Sequence, residues 1–99
     1  MVSSSPLTAS EIATALAELP GWAIDRQALT CTLAFTDFRE AFTFMGRVAF
    51  EAEELNHHPE WTNSYNRVHF RLSTHDAGDR VTRKDVELAH RIRRLAAQR

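Results

Sequence analysis

Apolar residues recur at helical spacing in three segments of the chain, and this periodicity predicts three helices. The second segment is the longest and spans about residues 37–56. In front of each segment stands a residue that caps a helix N-terminus, with a carboxylate three positions later: Thr8 and Glu11, Asp37 and Glu40, Thr82 and Asp85. Capping alone is a sufficient explanation for Asp85.

The second predicted helix is amphipathic. With residues placed at about 100° steps, most of its apolar side chains fall in one arc of roughly 160°, the expected core-facing stripe. The stripe consists of Phe38, Ala41, Phe42, Phe44, Met45, Val48, Ala49, Ala52 and Leu55. Phe50 lies on the opposite, polar side, near Arg39 and Thr43. In a monomer this ring would be exposed to water among polar residues, so we expect Phe50 to contact another subunit.

Between the helices, apolar and polar residues alternate with the period of two that is typical of half-buried strands. Two strands are expected between the first and second helices and two before the third, the last of them ending at His75. The order α-β-β-α-β-β-α predicts an α+β fold, a four-stranded antiparallel sheet with three helices on one face. We expect residues 1–6 to form a disordered arm and residues 7–99 a single domain.

Composition narrows the possible functions. The sequence has 99 residues and a formal net charge of -1, so it predicts neither a general nucleic-acid binder nor a membrane-surface protein. The arginines near the C-terminus suit the solvated, negative end of a helix. No apolar run approaches the ~18 residues of a membrane span, and the first residues do not resemble a secretory signal. Cys31 is the only cysteine, which excludes an internal disulfide and fits a cytoplasmic location.

The candidate chemistry lies in the run His57-His58-Pro59-Glu60-Trp61 and in His75. Histidine both gives and takes protons near neutral pH, which suggests acid–base catalysis. Glu53 precedes His57 by one helical turn and is expected to orient its ring. Trp61 suits the core or the wall of a pocket for a flat ligand.

Two other interpretations of the histidines stay open. One is that they only cap the helix end in water, and the other is that, with Glu53 or Glu60, they bind zinc. Zinc is disfavoured because adjacent histidines point in different directions and no HExxH or CxxC spacing is present. His69 is expected to be an exposed residue of the sheet.

These residues resemble the pterin-4a-carbinolamine dehydratase family. The resemblance covers nearly the whole chain from Gly21 onward, and its most specific elements are the His57-His58-Pro59-Glu60-Trp61 and Ser73-Thr74-His75 runs. The other matching positions are Gly21, Trp22, Phe35, Phe38, Val48, Ala49, Glu53, Asn56, Asn63, Tyr65, Asn66, Val68, Leu72, Gly78, Asp85, Leu88 and Ala89.

The resemblance implies an enzyme, a lyase that dehydrates 4a-hydroxytetrahydrobiopterin, a pterin-4a-carbinolamine, to the quinonoid dihydropterin. This reaction recycles the cofactor of aromatic amino-acid hydroxylases. The catalytic histidines of the family match His57, His58 and His75, and its substrate contacts match Asn56 and the Ser73-Thr74-His75-Asp76 segment. We add Glu53 and Trp61 as candidate substrate-site residues. The resemblance implies no metal and no organic cofactor, and a homodimer or homotetramer.

A second function stays open, because some members of the family are similar to non-catalytic dimerisation or assembly partners. The presence of all three histidines favours the enzyme. The loop between His75 and Thr82 departs from the family pattern: it looks slightly longer and more charged, and it lacks a Gly-Leu pair. We expect this departure to change the rim of the pocket and the preferred pterin side chain.

Overall fold

Three helices pack on one face of a four-stranded antiparallel sheet, as the sequence predicts. The computed structural model describes residues 5–98. The elements in chain order are α1 (Ala9–Ala17), β1 (Ala23–Asp25), β2 (Ala28–Ala34), α2 (Phe38–Leu55), β3 (Glu60–Ser64), β4 (Arg67–Leu72), a 3-10 turn (His75–Ala77) and α3 (Arg83–Ala97). Residues 1–4 of the expected disordered arm lie outside the described residues. Within residues 5–98, no helix combines the length and the apolar character that a membrane span requires.

The sheet has the strand order β1-β2-β4-β3, so β4 is central and β3 is an edge strand. Phe70 of β4 lies opposite Cys31 of β2 and Trp61 of β3. The neighbouring row, His69 with Thr32 and Thr62, faces away from the helices. His69 is exposed, and its Nδ1 lies 2.7 Å from the Thr32 hydroxyl, which confirms that it is an exposed sheet residue.

The predicted capping residues start all three helices. At α1, the Thr8 amide donates to Glu11 and the Glu11 amide donates back to the Thr8 hydroxyl. This hydrogen bond from the Thr8 amide is the main reason that the pKa of Glu11 is lowered. Asp37 caps α2 through the Glu40 amide, and Thr82 and Asp85 form the capping box of α3.

One apolar cluster joins the helices to the inner face of the sheet. At its centre, the fully buried Phe70 ring lies 6.3 Å from the ring of Phe44, 6.0 Å from that of Trp61 and 6.5 Å from that of Trp22. Phe70 therefore ties the central strand to α2, to the edge strand β3 and to the segment before β1. Cys31 is a buried member of this cluster, and burial raises the pKa of its thiol.

The predicted core stripe of α2 is too wide. Ala41, Phe44, Val48 and Ala52 are buried, but the prediction is wrong for Phe38, Phe42 and Ala49, which are exposed. The exposed side of the stripe lies over β3, where Phe42 and Ala49 share a shallow apolar hollow with Trp61. Because β3 is the edge strand on this side of the sheet, no further strand within residues 5–98 covers these side chains.

The fourth strand is shorter than predicted. It ends at Leu72, and the chain then forms an isolated bridge between Thr74 and Arg80. The Thr74 amide donates to the Arg80 carbonyl, and the Gly78 amide donates to the His75 carbonyl. Gly78 has a φ of 73°, which a residue without a Cβ adopts readily. His75 therefore opens a tight turn instead of ending a strand.

Candidate active site

A polar hollow of about 290 Å³ lies between the end of α2, the segment after β4 and the start of α3. Its volume is near the lower limit of roughly 300 Å³ for small-molecule pockets. The lining residues come from these three places: Asn56, His57, His58, Ser73, Thr74, His75, Asp76 and Lys84. All three predicted histidines therefore line one hollow, although His75 is 17 positions or more from the other two.

The end of α2 presents the histidine pair. Asn56 takes a left-handed conformation, with φ 51°, and its amide and the His57 amide both donate to carbonyls of the last helical turn. Asparagine tolerates this conformation better than most residues, so the helix ends there. Pro59 keeps His58 out of the helical region. The two rings therefore follow a fixed reversal of the chain.

His57 is held by a buried carboxylate. Its Nε2 lies 2.6 Å from Oδ1 of Asp85, which is fully buried at the first turn of α3. The side chain of His57 itself is only 11% exposed. The expectation that Glu53 orients His57 is wrong, because Glu53 lies beside His58.

His58 pairs with Glu53 at the surface. Its Nε2 lies 2.5 Å from Oε2 of Glu53, and both side chains are mostly exposed. After the reversal at Asn56, the chain carries His57 inward to α3 and His58 outward to the side of α2. A helical projection cannot predict that Glu53 pairs with His58 and not with His57, because both histidines lie beyond the last helical residue.

His75 is the most exposed of the three histidines. Its side chain is 92% exposed, and its Nδ1 lies 3.2 Å from Oδ1 of Asp79 within the same turn. Each lining histidine therefore has a carboxylate of its own, and the three pairs differ in burial. The pair of His57 and Asp85 is the one withdrawn from water.

The candidate substrate residues are only partly brought together. Asn56, Ser73, Thr74 and Asp76 line the hollow with the histidines. Glu53 reaches the site only through His58. Trp61 packs on Phe70 and lines the apolar hollow beside α2, so its predicted place in the wall of the histidine hollow is wrong.

Two residues of the site escaped the sequence analysis. Lys84 lines the hollow, and among residues 5–98 it forms no ion pair within 4.0 Å. Asp85 does cap α3, but it also binds His57. One signal was available for Asp85: at helical spacing it shares a face with the buried Leu88, Ala89 and Ile92, where an acidic residue calls for a partner.

Arg91 braces the two helices that carry the site. Its guanidinium donates to Glu51 and Glu54 of α2 and to Glu87 of α3. The hydrogen bond with Glu54 is the main reason that the pKa of Arg91 is raised above its ordinary value. Within residues 5–98, no three His, Cys, Asp or Glu side chains are grouped in a way that would hold a metal ion.

Comparison with known proteins gives consistent matches. Residues 5–95 match the sequence profile of the family described as pterin 4 alpha carbinolamine dehydratase. A protein of Opitutus terrae, provisionally named pterin-4-alpha-carbinolamine dehydratase, is 59% identical over 90 residues, which cover 91% of this chain and 93% of that protein. A protein of the same provisional name from Burkholderia vietnamiensis is 54% identical over 93 residues, 92% of this chain and 90% of the relative.

A solved structure has the same fold. The crystal structure of a transcriptional coactivator/pterin dehydratase from Brucella melitensis superimposes with a TM-score of 0.88 at 45% sequence identity. The match covers 93% of this chain and 99% of the Brucella chain.

Proposed function

The chain belongs to the pterin 4 alpha carbinolamine dehydratase family, and from that premise we propose that it dehydrates 4a-hydroxytetrahydrobiopterin to the quinonoid dihydropterin by histidine acid–base catalysis. The observation that carries the proposal is the convergence of His57, His58 and His75 on one polar hollow, each beside a carboxylate. A chain that had kept only the fold would not need this convergence.

The reaction requires two proton transfers and no change of oxidation state. An acid protonates the hydroxyl on the 4a carbon, so that the carbon–oxygen bond breaks and water leaves. A base removes the proton from the neighbouring ring nitrogen, and the electron pair forms the carbon–nitrogen double bond of the product. Imidazole and imidazolium perform both steps near neutral pH, each group contributing typically about 10²–10⁴ in rate.

We assign the proton transfers to His57 and His75, which reach the hollow from the end of α2 and from the turn after β4. His58, with its ring paired to Glu53 at the surface, orients the substrate. Asn56, Ser73 and Asp76 supply hydrogen-bonding groups around the rim for the polar edge of a pterin. Lys84 adds a cation that suits a carbonyl oxygen of the ligand.

The test of this function is the decay of chemically generated carbinolamine, followed by stopped-flow absorbance with and without the protein. We expect the protein to accelerate the decay and the acceleration to persist in a metal chelator. An unchanged decay rate would remove the dehydratase from consideration. Stoichiometric zinc in the purified protein, with activity lost on chelation, would contradict the metal-free mechanism.

A non-catalytic role as a partner protein is the second candidate. The name of the Brucella protein includes transcriptional coactivator, and α2 exposes three phenylalanines, at positions 38, 42 and 50. The decay assay separates the two candidates, because a partner protein has no need to accelerate the reaction.

For the location, we propose the cytoplasm, which the use of one unpaired cysteine supports.

We also propose that the chain forms a homo-oligomer through α2. Phe50 is 78% exposed and Phe42 is 61% exposed, and the exposed phenylalanines fall within about 120° of the helix circumference. Single exposed apolar residues are common, but three phenylalanines on one 18-residue helix favour an interface.

Phe50→Glu is expected to shift the oligomer toward the monomer, because it places a charge at the most exposed of the three phenylalanines. Multi-angle light scattering across a dilution series measures the shift. Ile24→Glu is the matched control, since it adds the same charge at an exposed apolar residue of β1. A monomeric wild-type protein, or an unchanged mass in Phe50→Glu, would remove Phe50 from any interface.

A further inference from the structure

We infer that Asp85 is a positioning residue that holds the neutral His57 ring as its Nε2–H tautomer and so leaves Nδ1 as the proton acceptor on the hollow. The inference rests on the proposed function for its catalytic meaning, but the tautomer itself follows from a chain of buried hydrogen bonds. These bonds join Asp85, Thr74 and Thr82, and each has a polarity that the chemistry of its partners fixes.

One carboxylate oxygen of Asp85 is occupied by two donors. The Thr82 amide donates to Oδ2 at 2.8 Å, and the Thr74 hydroxyl donates to the same oxygen at 2.8 Å. An amide N–H has no acceptor function, so its direction is certain. Oδ2 is therefore committed to accepting, and only Oδ1 is left to face His57.

The two threonine hydroxyls have a fixed order. Each hydroxyl has one hydrogen to donate, and that of Thr74 goes to Asp85. The Thr82 hydroxyl lies 2.6 Å from the Thr74 hydroxyl, so Thr82 donates to Thr74, while it accepts from the Lys84 amide at 3.2 Å. Asp85, Thr74 and Thr82 are all buried, so their polar groups have to find hydrogen-bonding partners within the protein.

The consequence falls on His57. Two donors already converge on Oδ2, the environment that suits a carboxylate, which only accepts hydrogen bonds. At a separation of 2.6 Å, Oδ1 then requires a hydrogen on Nε2 of His57. In a neutral ring the other nitrogen carries none, and among residues 5–98 Nδ1 has no hydrogen-bonding partner. Nδ1 is thus the free acceptor of a ring that lines the hollow.

Asp85→Asn reverses this arrangement without a change of shape. The donors from Thr82 and Thr74 hold the amide oxygen of the new side chain at the Oδ2 position. Its NH2 group then occupies the Oδ1 position and donates to Nε2 of His57. The neutral ring has to move its hydrogen to Nδ1, which turns the acceptor facing the hollow into a donor. The same substitution in the triad of serine proteases is known to install the wrong tautomer.

The experiment is ¹⁵N NMR of histidine-labelled protein at a pH where imidazoles are neutral. The His57→Gln variant assigns the His57 signals by their loss. In the wild type we expect a pyrrole-type Nε2 and a pyridine-type Nδ1, and in Asp85→Asn the reverse. Glu53→Gln, which alters the partner of His58, is the matched control and leaves the His57 pattern unchanged.

Two outcomes would overturn the inference. One is an Nδ1–H tautomer in the wild type, which needs no variant to detect. The other is an unchanged tautomer in Asp85→Asn, the result expected if Asp85 were itself protonated. With the inference correct, Asp85→Asn lowers kcat for carbinolamine dehydration by about 10²–10⁴-fold with little effect on KM. If Asp85→Asn switches the tautomer but the wild type has no dehydratase activity, the proposed function is contradicted. The role of Asp85 in holding the tautomer would still stand.

Discussion

Replacing His57 by alanine is expected to slow carbinolamine dehydration by about 10²–10⁴-fold, the range for loss of a general acid or base. His57 is the lining histidine whose ring is almost withdrawn from water and fixed by a buried partner. Removing a base that is held in one orientation lowers the rate more than removing a mobile one, because no other side chain takes its place at the same point. Stopped-flow decay of the carbinolamine at saturating substrate measures kcat directly.

The control for His57→Ala is His69→Ala, which removes an exposed histidine from the outer face of the sheet, away from the hollow. We expect its kcat to match that of the wild type. Alanine at position 57 also leaves the Asp85 carboxylate buried with one partner fewer, which costs about 1–3 kcal/mol of stability. His57→Gln keeps an N–H in place of the ring but transfers no proton, so it separates lost catalysis from lost folding. A loss of turnover in His69→Ala together with an active His57→Gln would overturn the assignment.

Phe70→Ala is expected to lower the free energy of unfolding by about 3–5 kcal/mol, the usual cost of deleting a buried aromatic ring. Phe70 is fully buried, and three other aromatic rings pack around it. Domains of this size are typically stable by only about 5–15 kcal/mol, so the cavity removes a large share of the total. Because Phe70 joins β4 to α2, partial unfolding there would also separate the elements that carry His57 and Ser73.

Urea unfolding, followed by circular dichroism at one protein concentration, measures this effect as a lower midpoint with an unchanged slope. Tyr65→Ala is the matched control: it also removes an aromatic ring, but one that is mostly exposed in the β3–β4 turn. We expect this control to change stability by no more than about 0.5 kcal/mol. Equal midpoints for the two variants would mean that Phe70 is not the centre of the core.

The sequence by itself determined the local features of this protein. Helix starts were predictable because a capping side chain and its partner lie three residues apart, so that Thr8 and Glu11 find each other without the rest of the fold. The end of α2 at Asn56 and the exposed position of His69 follow in the same way from neighbouring residues. Likewise, the candidate histidines were visible because their residue types carry the chemistry wherever the chain places them.

Only the tertiary structure decided which carboxylate serves which histidine. Asp85 lies 28 positions after His57, and the packing of α3 against α2 brings the two together. Because the chain reverses at Asn56, Glu53 pairs with His58. A continued helix would instead place Glu53 beside His57. The width of the buried stripe on α2 was decided in the same way, because it depends on where the sheet ends and not on the helix. Periodicity gives the direction in which a side chain points, whereas its partner depends on which distant element folds onto that side.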